Sequence, residues 1–165
     1  MPSPSKNKGN AWERDVAKHL SDMYGETFIR APGSGAYIGA KNAHRKQYLH
    51  EGQIRSFKGD IIPGPSYSRF NIECKSYKDF AFNQVLSGQT NKQLENWIEQ
   101  AMEVADEGDF TVLFMKFNRK GRYIAVQSKL TWKTDNFIYY TSKKYGDWLI
   151  MDFDGFFMHN TEILK

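Results

Sequence analysis

The feature that most constrains the fold is the alternation of apolar and polar side chains in residues 69–77, RFNIECKSY. Such alternation predicts a β-strand, because successive side chains of a strand point to opposite faces of its sheet. One face then carries three apolar residues, Phe70, Ile72 and Cys74. The other face carries Glu73 and Lys75, roughly 7 Å apart along the strand. Two interpretations fit this polar face: the solvated side of a half-buried strand, or an acid–lysine pair placed for chemistry.

Helical and strand patterns continue along the chain. Apolar residues at helical spacing predict a helix over 10–24, ending before Gly25, and a second helix from Thr90 to about Ala105. Strands are predicted at 27–31, 59–63, 69–77, 110–117 and 122–127, and the aromatic tail 131–159 is expected to add further strands. The order α-β-β-β-α-β-β predicts a single α/β domain, with a central mixed β-sheet flanked by helices.

Length and composition limit the class of protein. A chain of 165 residues with 40% hydrophobic residues fits one globular domain. It contains no apolar run long enough to span a membrane, and residues 1–10 lack the apolar core of a signal peptide. The single cysteine, Cys74, excludes an internal disulfide. We therefore expect a cytoplasmic protein with no membrane partner, in which residues 1–9 form a flexible basic arm and residues 10–165 the folded domain.

Positive charge is concentrated in one segment. Residues 39–58 carry five basic side chains against one acidic side chain, which equals the net charge of +4 of the whole chain. The basic residues of this segment are Lys41, Arg45, Lys46, Arg55 and Lys58. Clustered lysine and arginine in a glycine-flanked loop favour contacts with a phosphate backbone. A loop that is merely soluble is the alternative.

Three residues on two adjacent strand patterns point to phosphodiester chemistry. Pairing of strand 59–63 with strand 69–77 would bring Asp60 beside Glu73. Two adjacent carboxylates repel each other unless a cation lies between them, and Mg²⁺ suits one or two carboxylates together with water and phosphate oxygens. Water on such a metal is acidified, and Lys75 can stabilise negative charge that develops on phosphorus.

Glu13 adds a third acid. It follows Trp12 at the edge of the apolar stripe of the first helix, where an acid without a partner is costly. A metal site on the sheet would supply that partner. The alternative is an ordinary first-turn acid that the helix dipole favours.

Taken together, these motifs resemble the PD-(D/E)xK nuclease superfamily, and within it the archaeal-type Holliday-junction resolvases. Five segments match in order: KGNAWERDVAKHL (8–20), IRAPGSGA (29–36), GDII (59–62), IECKSY (72–77) and KQLENWIEQA (92–101). The resemblance covers about residues 8–127, so that 10–127 would be the nuclease core and 128–165 an aromatic-rich extension. The resemblance implies a restriction-endonuclease-like fold.

The resemblance also implies roles for individual residues. Metal ligands would come from the acids Glu13, Asp60 and Glu73 and from the main-chain carbonyl of Cys74. Lys75 would be the catalytic lysine, and Arg30 and Ser34 would lie near the scissile phosphate. Gln93 would contact DNA, although Thr90 and Gln93 also fit a helix capping box. The chain departs from the family pattern at Gly59, where proline is usual, and in the long loop before Asp60.

The sequence therefore predicts a Mg²⁺-dependent, structure-selective DNA endonuclease, with Mn²⁺ able to substitute. We expect a homodimeric Holliday-junction resolvase, because a four-way junction presents two equivalent strands to a two-fold dimer. One alternative is a PD-(D/E)xK nuclease that acts on other branched or duplex DNA. The other is a DNA-binding module without catalysis, which the set Asp60, Glu73 and Lys75 disfavours.

Overall fold

The computed structural model describes residues 3–32, 44–45, 47–129 and 132–162, and for residues 51, 52 and 55 it describes the backbone alone. Within these residues, five α-helices and seven strands follow one another as α1 (Pro4–Tyr24), β1 (Ile29–Arg30), α2 (Glu51–Phe57), β2 (Ile61–Ile62), β3 (Phe70–Tyr77), α3 (Phe82–Leu86), α4 (Lys92–Glu103), β4 (Phe110–Phe117), β5 (Gly121–Gln127), β6 (Ile138–Ser142), β7 (Gly146–Asp152) and α5 (Phe153–His159).

The strands form one mixed sheet in the order β1-β2-β3-β4-β5-β7-β6. Strands β3 and β4 pair in parallel over their whole lengths, and helices α3 and α4 lie in the crossover between them. The other neighbouring strands pair antiparallel. The predicted α/β domain with a central mixed sheet and flanking helices is confirmed.

Helix α1 begins earlier than the sequence predicted. Ser3 caps it by accepting a hydrogen bond from the backbone N–H of Lys6 (3.3 Å), and Pro4 fits the first turn because its fixed φ suits a helix. The prediction of a flexible arm over residues 1–9 is therefore wrong from Pro4 onward. The helix ends where expected, since Gly25 has a φ of +67° and donates its N–H to the carbonyl of Ser21.

Each face of the sheet has its own hydrophobic core. On one face, Trp12 of α1 and Phe153 of α5 pack in one core with Ile72 of β3 and Phe114 of β4. On the other face, a second core includes Leu94 and Trp97 of α4. The molecule therefore has three layers, and the central strands are buried from both sides.

The aromatic tail is part of these cores rather than an appendage. Strands β6 and β7 extend the sheet, as expected, and α5 was not predicted. Asp152 starts α5 by accepting a hydrogen bond from the N–H of Gly155 (2.8 Å). Phe153 and Phe157 of this helix then pack around His19 of α1, with ring centroids 4.7 Å from the imidazole.

The start of α4 also differs from the prediction. Asn91, not Thr90, is the capping residue, and its side-chain oxygen accepts a hydrogen bond from the N–H of Leu94 (2.8 Å). The capping-box interpretation of Thr90 and Gln93 is therefore wrong. Among the helices that the structure describes, none has the length and apolar character needed to cross a membrane.

Candidate active site

Pairing of β2 with β3 places Asp60 opposite Glu73. Ile61 pairs with Ile72 in the antiparallel register, and the N–H of Asp60 donates to the carbonyl of Ile72 (2.7 Å). The Asp60 carboxylate accepts a hydrogen bond from the backbone N–H of Cys74 (2.7 Å). The Glu73 carboxylate lies close enough to Asp60 for the charge of Asp60 to raise its pKa. The predicted juxtaposition of Asp60 and Glu73 is confirmed.

Gly59 makes this approach possible. Its φ is +66°, a left-handed conformation that proline cannot adopt and that other residues adopt only with strain. A Cβ at this position would overlap the carbonyl oxygen of Ile72. The departure from the usual proline therefore has a structural reason, because glycine lets the chain press against β3 immediately before Asp60.

Glu73 is buried rather than solvated. Only 3% of its surface is exposed, because α4 covers the face of β3 that carries it. The neighbouring Asn71 on this face donates its side-chain amide to the carbonyl of Ala101 in α4 (2.8 Å). Burial raises the pKa of Glu73, and the nearby Asp60 charge raises it further, while Lys75 opposes both effects. The interpretation of this face as a solvated strand surface is therefore wrong.

Lys75 is held by two partners. Its Nζ lies 2.6 Å from the Oε1 atom of Glu73 and 2.7 Å from the Oε1 atom of Gln100. The side chain is mostly buried, so its contact with Glu73 forms where water competes poorly. Gln100 was not predicted as a site residue. Gln100 comes seven residues, or two helical turns, after Gln93, so it lies on the same side of α4. That spacing was the one signal in the sequence that Gln100 belongs to the site.

Glu13 pairs with Arg30. The Nε–H of Arg30 donates to the Glu13 carboxylate, and its Nη2–H donates to the side-chain oxygen of Asn10 (2.8 Å). Trp12 anchors this part of α1, since its indole N–H donates to the carbonyl of Phe114 (3.0 Å). Burial raises the pKa of Glu13, the charge of Asp60 raises it further, and Arg30 opposes them. Glu13 therefore lies near Asp60, with an arginine beside it.

All three acids lie close enough to Cys74 for their charges to act on its thiol. Burial raises the pKa of its thiol, and Asp60, Glu73 and Glu13 raise it further in that order. Arg30 pairs with Glu13 and Lys75 pairs with Glu73, so each of these two acids has a cation beside it.

This donor set fits a divalent ion held by two carboxylates. Asp60 and Glu73 are adjacent, and Mg²⁺ commonly takes one or two carboxylates and keeps several waters. Over residues 3–32, 44–45, 47–129 and 132–162, no group of three or more His, Cys, Asp and Glu side chains is arranged to hold a metal. Asp60 and Glu73 would thus be the principal ligands, and the roles of Glu13 and of the Cys74 carbonyl stay predictions.

A groove lined by lysines opens beside Lys75. This lysine groove has a volume of about 610 Å³ and runs between the first turns of α1 and the end of β3. Its cationic lining consists of Lys6, Lys8, Lys75 and Lys78. Lys6 and Lys8 lie in the segment predicted as a flexible arm, and Lys78 follows directly on β3. The groove therefore brings four lysines together, and the concentration of charge in residues 39–58 gave no sign of it.

The predicted basic loop is only partly described. Ser34, Lys41 and Lys46 lie outside the described residues, and Arg55 lies in α2 without a described side chain. Arg45 is described and half-buried. Their DNA-binding roles stay predictions.

Lys58 does not fit the predicted role in DNA binding. It is 7% exposed, forms an ion pair with Asp106 (2.9 Å) and also pairs with Asp109. Because both partners lie about fifty residues further along the chain, no local pattern could reveal this pairing. Gln93, in contrast, lines an open cavity on α4.

Comparison with known proteins agrees with this geometry. A family model described as "Phage putative PDDEXK endonuclease" matches residues 4–165. The curated protein D14 of Escherichia phage T5 is 29% identical over 132 residues, which cover 78% of this chain and 74% of that protein. No solved structure matches the chain. Since the family model covers nearly the whole sequence, including the strands that carry Asp60, Glu73 and Lys75, the chain belongs to this phage family of PD-(D/E)xK endonucleases.

Proposed function

We propose that the protein is a divalent-metal-dependent DNA endonuclease in which Asp60, Glu73 and Lys75 carry out the chemistry. The observation that supports this most directly is the buried contact of Glu73 with both Asp60 and Lys75. Two carboxylates buried this close together repel each other, and a divalent cation between them would relieve that repulsion. The family membership supports the same reaction class.

The residues divide the work of phosphodiester hydrolysis. Asp60 and Glu73 would hold Mg²⁺, which when bound supplies an acidified water and positive charge at the phosphate. Lys75 donates from Nζ toward the negative charge that develops on phosphorus, and Gln100 and Glu73 fix its position. The lysine groove holds the flanking phosphates.

The proposed substrate is branched DNA, with the four-way junction as the leading example and a homodimer as the active form. The resemblance of the segments around Arg30 and Glu73 to junction resolvases supports this, as does the match between a two-fold dimer and a substrate with two equivalent strands. The second candidate is a nuclease of the same mechanism that acts on other branched or duplex DNA. The family description, which names an endonuclease and no junction, favours keeping it.

Isosteric substitutions test the metal-site assignment. Asp60→Asn and Glu73→Gln should each abolish cleavage of a labelled four-way junction in Mg²⁺ while binding persists, because the acids serve the chemistry and the lysines serve affinity. Asp79→Asn is the matched control, since Asp79 is an exposed acid next to the same strand and pairs with Lys120. Wild-type cleavage rates in either Asp60→Asn or Glu73→Gln would exclude the assignment.

Changes to the lysines separate catalysis from affinity. Lys75→Ala should slow cleavage by about 10²–10³-fold, the scale for losing one electrostatic stabiliser. Lys6, Lys8 and Lys78 should be replaced together by alanine. The fall of log affinity with log salt concentration should then become less steep, by about one unit for each phosphate that the variant no longer neutralises. Replacing the exposed Lys18 should leave that slope unchanged.

Two measurements decide between the junction and the general nuclease. Light scattering gives the mass in solution, and competition with unlabelled linear duplex gives the preference for branches. A dimer that prefers the junction supports the resolvase. A monomer at micromolar concentration, or equal competition by duplex, supports the second candidate.

A further inference from the structure

Tyr77 is the exposed end of a buried aromatic stack. It lies two residues after Lys75 on the same face of β3, and 44% of its surface is exposed. Its ring centroid is 4.9 Å from that of Trp97, which is itself stacked against Phe80 (5.9 Å) and Phe117 (6.1 Å). Because the rings beneath it are buried, Tyr77 presents its ring from a rigid support.

Two cavities of different chemistry meet at this ring. On one side is the lysine groove, which Tyr77 helps to line. On the other side is a cavity of about 480 Å³ on α4, which we call the amide cavity. Its lining residues are Tyr77, Lys92, Gln93, Asn96, Trp97 and Gln100.

The lining of the amide cavity suits a nucleobase. Glutamine and asparagine side chains each offer both donors and an acceptor, and they pair with the edges of bases. An aromatic ring stacks on any base, because every base has a π-face. Three amides and an exposed ring in one cavity, next to a cationic groove, therefore match a base attached to its phosphate backbone.

We propose that Tyr77 stacks an unpaired base of the strand being cut, with the amide cavity receiving that base and the lysine groove its neighbouring phosphates. The inference rests on the proposed nuclease function and narrows its substrate to branched DNA in which a base next to the scissile phosphate is unpaired or opens at the branch point. Gln100 joins the two sites, because it lines the amide cavity and also holds Lys75. A base seated there would place its own phosphate near Lys75.

The alternative is that Tyr77 has only a structural role and covers Trp97. Substitutions that keep or remove the aromatic ring distinguish that role from stacking on a base. Tyr77→Leu keeps apolar cover over Trp97 but removes the aromatic face, whereas Tyr77→Phe keeps both. Tyr139→Leu is the matched control, since Tyr139 is 52% exposed and lies on β6 at the far edge of the sheet. All three variants are first compared with the wild type by thermal unfolding.

The experiment measures binding without added metal, in EDTA, to DNA that carries 2-aminopurine at an unpaired position or at a paired position. The wild type, Tyr77→Phe and Tyr139→Leu should quench the unpaired probe. Tyr77→Leu should lose the quenching and bind unpaired DNA about 5- to 100-fold more weakly, the range for one base–aromatic stack. Affinity for fully paired DNA should not change in Tyr77→Leu.

The results separate this inference from the proposed function. Equal quenching and affinity in Tyr77→Leu and wild type would overturn the stacking site, even if the wild type cleaves DNA in Mg²⁺. Loss of stability in Tyr77→Leu with unchanged quenching would also overturn it, in favour of the structural role. A wild type that quenches the unpaired probe but cuts no DNA in Mg²⁺ would refute the nuclease and keep the base site.

Discussion

Replacing Gly59 by alanine tests how the backbone brings Asp60 to Glu73. Gly59 has a φ of +66°, and a Cβ there would overlap the carbonyl oxygen of Ile72. That oxygen cannot move aside freely, because it accepts the hydrogen bond from Asp60 (2.7 Å). The strain can be relieved only by moving the start of β2 away from β3.

The magnitude follows from the hydrogen bonds that such a movement breaks. The left-handed backbone alone costs alanine about 1–2 kcal/mol. Losing the hydrogen bond from Asp60 to Ile72 costs about 1 kcal/mol, and leaving the buried N–H of Cys74 without the Asp60 carboxylate costs about 1–3 kcal/mol. Gly88→Ala isolates the first effect, because Gly88 has a φ of +69° and no atom lies within 4 Å of its added Cβ.

We therefore expect Gly59→Ala to reduce the free energy of unfolding by about 2–4 kcal/mol more than Gly88→Ala does. Equilibrium urea denaturation of the two variants and the wild type measures this difference. Cleavage in Mg²⁺, compared under conditions where both variants are folded, should be lost in Gly59→Ala and kept in Gly88→Ala. Equal destabilisation of the two variants, or full cleavage by Gly59→Ala, would refute the role given to Gly59.

Two further predictions concern α4 and α1. Gln100→Ala should lower the cleavage rate about tenfold, the effect of about 1.4 kcal/mol, because Lys75 keeps Glu73 and loses its second partner. Steady-state rates check this, with the exposed Glu103→Ala on the same helix as the control, and equal rates in both variants would contradict it. Burial lowers the pKa of His19, and the charge of Arg122 lowers it further. As the pH falls, the imidazole is therefore protonated in the unfolded chain before it is protonated in the folded protein. The folded protein loses stability as the pH falls through the ordinary histidine pKa of about 6.5. The free energy of unfolding of His19→Phe should therefore fall less between pH 7.5 and pH 5.5 than that of the wild type, and parallel pH profiles would contradict the assignment.

The evidence for a branched DNA substrate differs from the evidence for phosphodiester hydrolysis. The reaction follows from side chains that the strands bring within hydrogen-bonding distance, and a single substitution addresses each of them. The proposed junction preference would depend on the spacing of two active sites in a dimer and on the segment before Asp60, of which residues 33–43 and 46 lie outside the described residues. The unpaired-base site at Tyr77 gives a route to branch recognition that one protomer can supply.

Local periodicity determined much of this protein. The alternation in residues 69–77 was enough to put Glu73 and Lys75 on one face of β3. Asp60 comes directly before the strand pattern that precedes β3, so antiparallel pairing of these two strands brings it opposite Glu73. Helical spacing gave α1 and α4, because the period of 3.6 residues is a property of the chain within one element. The strands at 110–117 and 122–127 are observed as β4 and β5 for the same reason.

Tertiary structure decided what surrounds each of these side chains. No local pattern showed that α4 covers Glu73, that Gln100 holds Lys75, or that Lys58 is paired with Asp106 and Asp109 instead of facing DNA. These contacts join residues 25 to about 50 positions apart, and they depend on the order of strands and the seating of helices on the sheet. Periodicity determines on which face of its own helix or strand a side chain lies. Its burial and its partners depend on which other element packs against that face. The energy of that packing is summed over the whole core.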